Sequence, residues 1–188
     1  MNANAFNALL DTLRKLNIEH TVVGSVASSA HGIERSTVDT DLLARIKVFH
    51  ANRLSADLGN DWYADPDQMR AAIESQRSFN LIHIPSGEKF DIFPAFEEFH
   101  ASELSRAIEY VLPLADGPVR ARVSSAEDVL LAKLRWYQAG GEVSDRQWND
   151  ITGILCINTG LDMEYVNGWA GRLGVSQLLA KAIADSQT

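Results

Sequence analysis

The chain is short of cysteine, positive charge and long apolar runs, and each shortage removes a class of protein. A single cysteine, Cys156, has no partner for an intramolecular disulfide. With no signal-like start and no apolar stretch of bilayer length, the expectation is a cytoplasmic protein with no membrane partner. Lys and Arg number 17 against 25 Asp and Glu, a formal net charge of −8. That balance argues against a broad nucleic-acid-coating surface, which is normally basic. A local contact survives the argument, because a bound metal would itself neutralise phosphate. His83 and His100 show no ligand spacing with each other or with Cys156, so no zinc site is expected. Internal repeats and low-complexity segments are absent as well.

What remains is 188 residues with 46% hydrophobic content, enough to bury a core as one domain with a helical appendage. Phe6, Leu9, Leu10, Leu13 and Leu16 follow helical spacing and predict an opening helix that ends near Asn17. His20 to Val23 reads as a short β-branched strand, and Val26 to His31 as a short helix closed by Gly32. Val38 to Ile46 predicts a second strand, followed by helices over Phe49 to Leu58 and Asp67 to Ser75. Phe79 to Ile84 and Lys89 to Phe93 form a hairpin around Pro85-Ser86-Gly87; a second hairpin turns at Asp116-Gly117. From Ser124 onward the signals are helical, with capping boxes expected at Ser124 with Glu127 and at Ser144 with Gln147. Two more helices are expected over Asp162 to Ala170 and Ser176 to Ala184. The one boundary falls there, giving an α/β part over 1–123 and a helical part over 124–188. The apolar string around Cys156 predicts a buried, inert thiol, and Trp136, Trp148 and Trp169 read as core.

The chemistry gathers in a few places. Gly24-Ser25 follows an apolar strand and precedes a helix, a junction that can offer backbone N–H groups and a hydroxyl to a phosphate. The plain alternative is a turn glycine and a helix cap. Asp39 and Asp41 lie one residue apart at the start of a strand, so their side chains share a face about 6–7 Å apart. Two such carboxylates repel each other unless a cation or a shared proton relieves them. An exposed strand edge would also carry two acids. The apolar Leu42-Leu43-Ala44 that follows, however, suggests burial, which metal ligation would offset. Magnesium suits the pair, since it takes oxygen ligands from carboxylates and substrate phosphates. Asp91 interrupts the apolar strand Lys89-Phe90-Asp91-Ile92-Phe93, where it either faces solvent or supplies a third carboxylate for two-metal phosphate chemistry.

Gly24-Ser25, Asp39-x-Asp41 and a later strand Asp91 together resemble the signature of the nucleotidyltransferase-fold superfamily related to polymerase β. The string Arg35-x-Thr37-x-Asp39-x-Asp41 is similar to that of its minimal nucleotidyltransferases and abortive-infection toxins. Thr40 stands between the acids where the superfamily usually has an apolar residue, a change that suits an inward-packed methyl. The resemblance implies an α+β fold: a mixed sheet flanked by helices, followed by a C-terminal helical bundle. It implies Mg2+ or Mn2+ on Asp39, Asp41 and Asp91. Gly24, Ser25, Arg35 and Thr37 would bind the nucleoside triphosphate, ATP being one candidate. In the relatives a Lys on the helix after the catalytic domain contacts the phosphates and an Asp on the next helix completes the site; the candidates here are Lys133 and Asp150. Each has a plainer alternative. Lys133 lies within the apolar stripe of Val129, Leu130, Leu134 and Tyr137 and would otherwise snorkel out; Asp150 would pair with Arg146 at the surface. Arg35 could bind phosphate or hold one of the paired acids.

The expectation is therefore an enzyme that transfers a nucleotide from a triphosphate to a hydroxyl acceptor. The family likeness suggests a tRNA or protein acceptor and a role as toxin or antitoxin. Two rivals remain, a catalytically silent partner-binding relative and a small-molecule nucleotidyltransferase of the antibiotic-modifying kind.

Overall fold

The computed structural model describes residues 2–33 and 39–187. Arg35, Thr37 and Val38, named above, lie outside the described residues. The chain forms two compact units, one of Met1–Val23 with Thr37–Val123 and the other of Gly24–Ser36 with Ser124–Thr188.

The first unit opens with helix α1, Ala3–Lys15, capped by the Asn2 side chain, which accepts a hydrogen bond from the Ala5 N–H. It buries Phe6, Leu9, Leu10 and Leu13 on one face, as their spacing predicts. It stops where Asn17 takes φ 53°, a left-handed conformation that Asn tolerates. There follow β1 (His20–Val23), β2 (Thr40–Ala44), a 3-10 turn Val48–His50 leading into α3 (Ala51–Leu58), β3 (Trp62–Tyr63), α4 (Pro66–Glu74), β4 (Phe79–His83) and β5 (Glu88–Pro94). The unit closes with α5 (Glu98–Arg106), β6 (Ile108–Leu114) and β7 (Gly117–Val123).

Among the described residues the strands form one mixed sheet in the order β3-β4-β5-β2-β1-β7-β6. The expected mixed sheet with flanking helices is thus present. In the middle, β2 runs antiparallel to β1 and parallel to β5, pairing Thr40 with Phe90, Asp41 with Asp91 and Leu42 with Ile92. Thr40, Leu42, Phe90 and Ile92 are fully buried on one face, where Phe90 stacks 5.6 Å from both Phe6 and Trp62. Asp41 and Asp91 take the other face.

Several local expectations change. The second strand ends at Ala44 rather than Ile46, although the Arg45 N–H still donates across to the Glu19 carbonyl at 2.7 Å. β3 is too short to show a period. α5 was not legible because its start uses His100 in place of the usual Glu or Gln: the Glu97 N–H faces His100 Nδ1 at 3.4 Å.

The second unit is helical: α2 (Gly24–His31), α6 (Ala126–Ala139), α7 (Asp145–Ile157), α8 (Met163–Leu173) and α9 (Ser176–Asp185). α6 is its hub, packing on the other four through Val129, Leu130, Leu131, Leu134 and Tyr137. The cap of α6 is Ser125, not Ser124: its Oγ accepts from the Asp128 N–H at 3.2 Å and donates to Asp128 Oδ2 at 2.8 Å. Ser124 is buried, and its carbonyl lies 2.7 Å from His31 Nε2, which makes His31 a packed histidine. Ser144 caps α7 by accepting from the Gln147 N–H, which is the Ser144 half of the expected capping box.

Cys156 is exposed, contrary to expectation. α7 buries Asp150, Ile151, Gly153 and Ile154, a face that leaves position 156 outside. The tryptophans also depart from the core assignment. Trp136 is 61% exposed, Trp148 donates its indole N–H to Asp185, and Trp169 lies 3.9 Å under the Arg172 guanidinium. Among the described residues no helix is long and apolar enough to cross a membrane.

Two stability predictions come from buried polar groups in the first unit. Thr40 faces inward, as its methyl suggested, and its buried hydroxyl has no hydrogen-bond partner. Thr40→Val therefore raises unfolding free energy by about 1 kcal/mol in a urea titration, since it removes an unsatisfied group at constant shape. His20 is buried with Nδ1 2.7 Å from the Ile18 carbonyl, and burial lowers its pKa, helped by the charges of Arg14 and Arg122. A lowered histidine pKa stabilises the fold fully above the ordinary value of about 6.5 and loses that contribution as pH falls below it. Urea titrations at falling pH should show this loss, and His20→Gln should reduce it.

Candidate active site

The acids of the first unit owe their alignment to the parallel pairing of β2 with β5. Neighbouring strands lie about 4.8 Å apart, so the register partners Asp41 and Asp91 project side by side. Asp39 precedes β2 by one residue, and its carboxylate reaches the same face. The proof is Lys89, two residues before Asp91 and therefore on its side of β5. Its ammonium lies 3.1 Å from Asp91 Oδ2 and 3.4 Å from Asp39 Oδ1.

Lys89 has its pKa raised, first by its hydrogen bond to Asp91; burial opposes this, and the charges of Asp91 and Asp39 add to the rise. Asp91 Oδ1 is buried and accepts no hydrogen bond, a costly state for a carboxylate oxygen. Among the described residues no group of three or more His, Cys, Asp or Glu is arranged to hold a metal ion. Nevertheless two of the three acids already converge on one cation, and the third is the register partner of one of them. A buried carboxylate oxygen lacking a hydrogen-bond donor, and two carboxylates close enough to share one cation, are donors of the kind a divalent ion takes, so the residues fit one.

In the second unit Gly24 enters α2 with φ 62°, a left-handed conformation that glycine takes freely. Gly24 and Ser25 therefore belong to the first turn of the helix rather than to a linker before it. Lys133 on α6 and Asp150 on α7 meet each other, with Nζ 2.5 Å from Oδ2. Their side chains are only 12% and 5% exposed, so neither a snorkelling Lys133 nor a surface pair of Asp150 with Arg146 describes them. The residues expected from the sequence thus divide between the units. Asp39, Asp41 and Asp91 lie in the first, and Gly24, Ser25, Lys133 and Asp150 in the second.

Two residues escaped the sequence reading. Lys89 was detectable in principle, since its i,i+2 spacing from Asp91 places both on one strand face. Asp128 is fully buried on α6, where it accepts from the hydroxyls of Ser125 and Tyr165 and so ties α6 to α8. Only the tertiary fold discloses that network.

No protein-family profile matches the chain, and no curated protein matches it. Solved structures do. The solution structure of the antibiotic-resistance factor ANT(2'')-Ia is 18% identical, with 98% of this chain and 94% of that chain covered at a TM-score of 0.51. The crystal structure of ANT(2'')-Ia in complex with adenylyl-2''-tobramycin is 16% identical, covering 91% of this chain and 95% of that one at a TM-score of 0.51. An antigenic nucleotidyltransferase-like protein from Paracoccidioides brasiliensis is 16% identical, covering 97% and 92% at a TM-score of 0.45. At such identities the ANT(2'')-Ia likeness is one of fold.

The buried pair of the second unit gives a direct prediction. Lys133→Met takes from the buried Asp150 carboxylate its ammonium partner and costs about 3–5 kcal/mol in a urea titration. Adding Asp150→Leu in the same chain recovers most of that loss, because the buried charge is gone as well.

Proposed function

We propose that this chain, which has the nucleotidyltransferase fold, transfers a nucleoside monophosphate from a nucleoside triphosphate to a hydroxyl acceptor. The observation that carries the reading is the parallel register of Asp41 with Asp91, with Asp39 reaching the same face. Asp39, Asp41 and Asp91 would hold magnesium or manganese. Such an ion, when bound, supplies charge neutralisation and polarisation of the phosphoryl oxygens. Asp91 is also the proposed proton acceptor, through the Oδ1 that accepts no hydrogen bond.

In the proposed reaction the acceptor oxygen forms a bond to the α-phosphorus. The bond from that phosphorus to the oxygen leading to the β-phosphate breaks, pyrophosphate leaves, and the acceptor proton passes to Asp91. Gly24 and Ser25 contribute N–H groups and a hydroxyl to the phosphates at the positive end of α2. Arg35 and Thr37 belong to the same nucleotide-binding string. The sequence resemblance would add Lys133 as a contact to the phosphates, with Asp150 as the carboxylate that holds its ammonium.

For the acceptor we favour a small hydroxylated molecule. Support comes from the near full-length likeness to ANT(2'')-Ia, one structure of which holds adenylyl-2''-tobramycin. The net charge of −8 also suits a cationic acceptor better than tRNA. A second reading, a tRNA or protein acceptor in a toxin–antitoxin pair, is favoured by the string of Arg35, Thr37, Asp39 and Asp41.

The test is incubation with each α-labelled nucleoside triphosphate, ATP first, with Mg2+ or Mn2+ and aminoglycosides, total tRNA or the protein alone. Label on the aminoglycoside supports the first acceptor, label on tRNA or protein the second, and label nowhere defeats the catalytic reading. Asp91→Asn should slow transfer by about 10²–10⁴-fold. A magnesium-dependent rise in melting temperature with ATP should vanish in Asp39→Ala plus Asp41→Ala.

A further inference from the structure

The proposed reaction has no task for Lys89, yet Lys89 touches two of the three acids. Its ammonium reaches Asp91 Oδ2 and Asp39 Oδ1 from β5, and its side chain is 35% exposed. It therefore stands with one end among the carboxylates and an open path to solvent along its flexible stem. Asp91 turns one oxygen to this ammonium and keeps the other buried without a donor. One ammonium thus touches two carboxylates, and the second oxygen of Asp91 accepts no hydrogen bond.

A divalent ion on the same carboxylates would sit closer to their oxygens than an ammonium can, and with twice the charge. Two cations crowded between one pair of carboxylates repel each other. Binding of the ion and retention of the Lys89 contact are therefore mutually opposed. We propose that Lys89 is a tethered stand-in cation, which neutralises Asp39 and Asp91 in the metal-free protein and is displaced when a divalent ion binds. This inference rests on the reading of the three acids as the metal site. Lys89 is in that sense a positioning residue: it keeps mutually repelling acids gathered on one face until the ion arrives. Its occupancy also weakens the apparent affinity for the ion, since only the displaced fraction of molecules is competent to bind.

The experiment measures Mn2+ binding to the full chain without nucleotide, by the loss of the free-ion electron paramagnetic resonance signal. Wild type is compared with Lys89→Met, Lys89→Gln, Lys89→Arg and Asp91→Asn. Lys89→Met and Lys89→Gln are expected to bind Mn2+ about tenfold tighter or better, because the competing charge is gone. Lys89→Arg, which keeps the charge, should stay within about threefold of wild type. Without metal, the two neutral variants should melt below wild type, and Mn2+ should raise their melting temperatures by more than it raises that of wild type. A purely structural lysine would lower stability without tightening metal binding. Equal or weaker Mn2+ binding by the neutral variants that fold overturns the proposal. The underlying metal reading fails separately if Asp91→Asn binds Mn2+ as well as wild type does, or if no variant binds it.

Discussion

The parallel pairing of β2 with β5 is the constraint on which the acidic group depends. No local feature of either segment brings residue 41 to residue 91. The register does so, and it holds because a slip by one residue would bring Asp41 or Asp91 to the face where Thr40, Leu42, Phe90 and Ile92 are buried. The core on one face of the sheet therefore enforces the alignment of carboxylates on the other. Packing of Phe90 against Phe6 and Trp62 belongs to the chemistry as much as to stability, since it anchors the strand that carries Lys89 and Asp91.

The sequence disclosed what periodicity and short motifs can disclose. α1 was readable because Phe6, Leu9, Leu10 and Leu13 repeat at helical spacing over about two turns. The hairpins were readable because turn residues separate alternating runs. Asp39, Asp41 and Asp91 stood out as acids set in apolar strands. Cys156 misled because a run of apolar neighbours suggests burial, whereas a helix buries only one stripe of such a run. At the start of α6 the cap is Ser125, one residue past the expected Ser124, whose carbonyl lies against His31. The Lys133–Asp150 contact joins two helices, so no spacing within either could announce it.

The two units use charge in contrasting ways. In the second, the ion pair of Lys133 with Asp150 and the carboxylate of Asp128 are enclosed, with short contacts to oppositely charged or hydroxyl partners. Such groups fix helix positions, because any shift leaves a charge without compensation. In the first, Lys89 and Asp39 are about one-third and one-half exposed, and Asp91 is left partly unsatisfied. A partly hydrated group with a spare acceptor is able to exchange one cation for another.

The strand order has a further consequence at its two ends. One outermost strand, β3, is two residues long and offers almost no ladder. The other, β6, carries Pro113 opposite Pro118 of β7, so at that point neither residue has an amide hydrogen to give. Exposed Glu109 adds a charge along the same margin. Lateral growth of the sheet by stacking on a neighbouring chain is thereby discouraged at both margins, a protection against fibril-like association built into backbone chemistry.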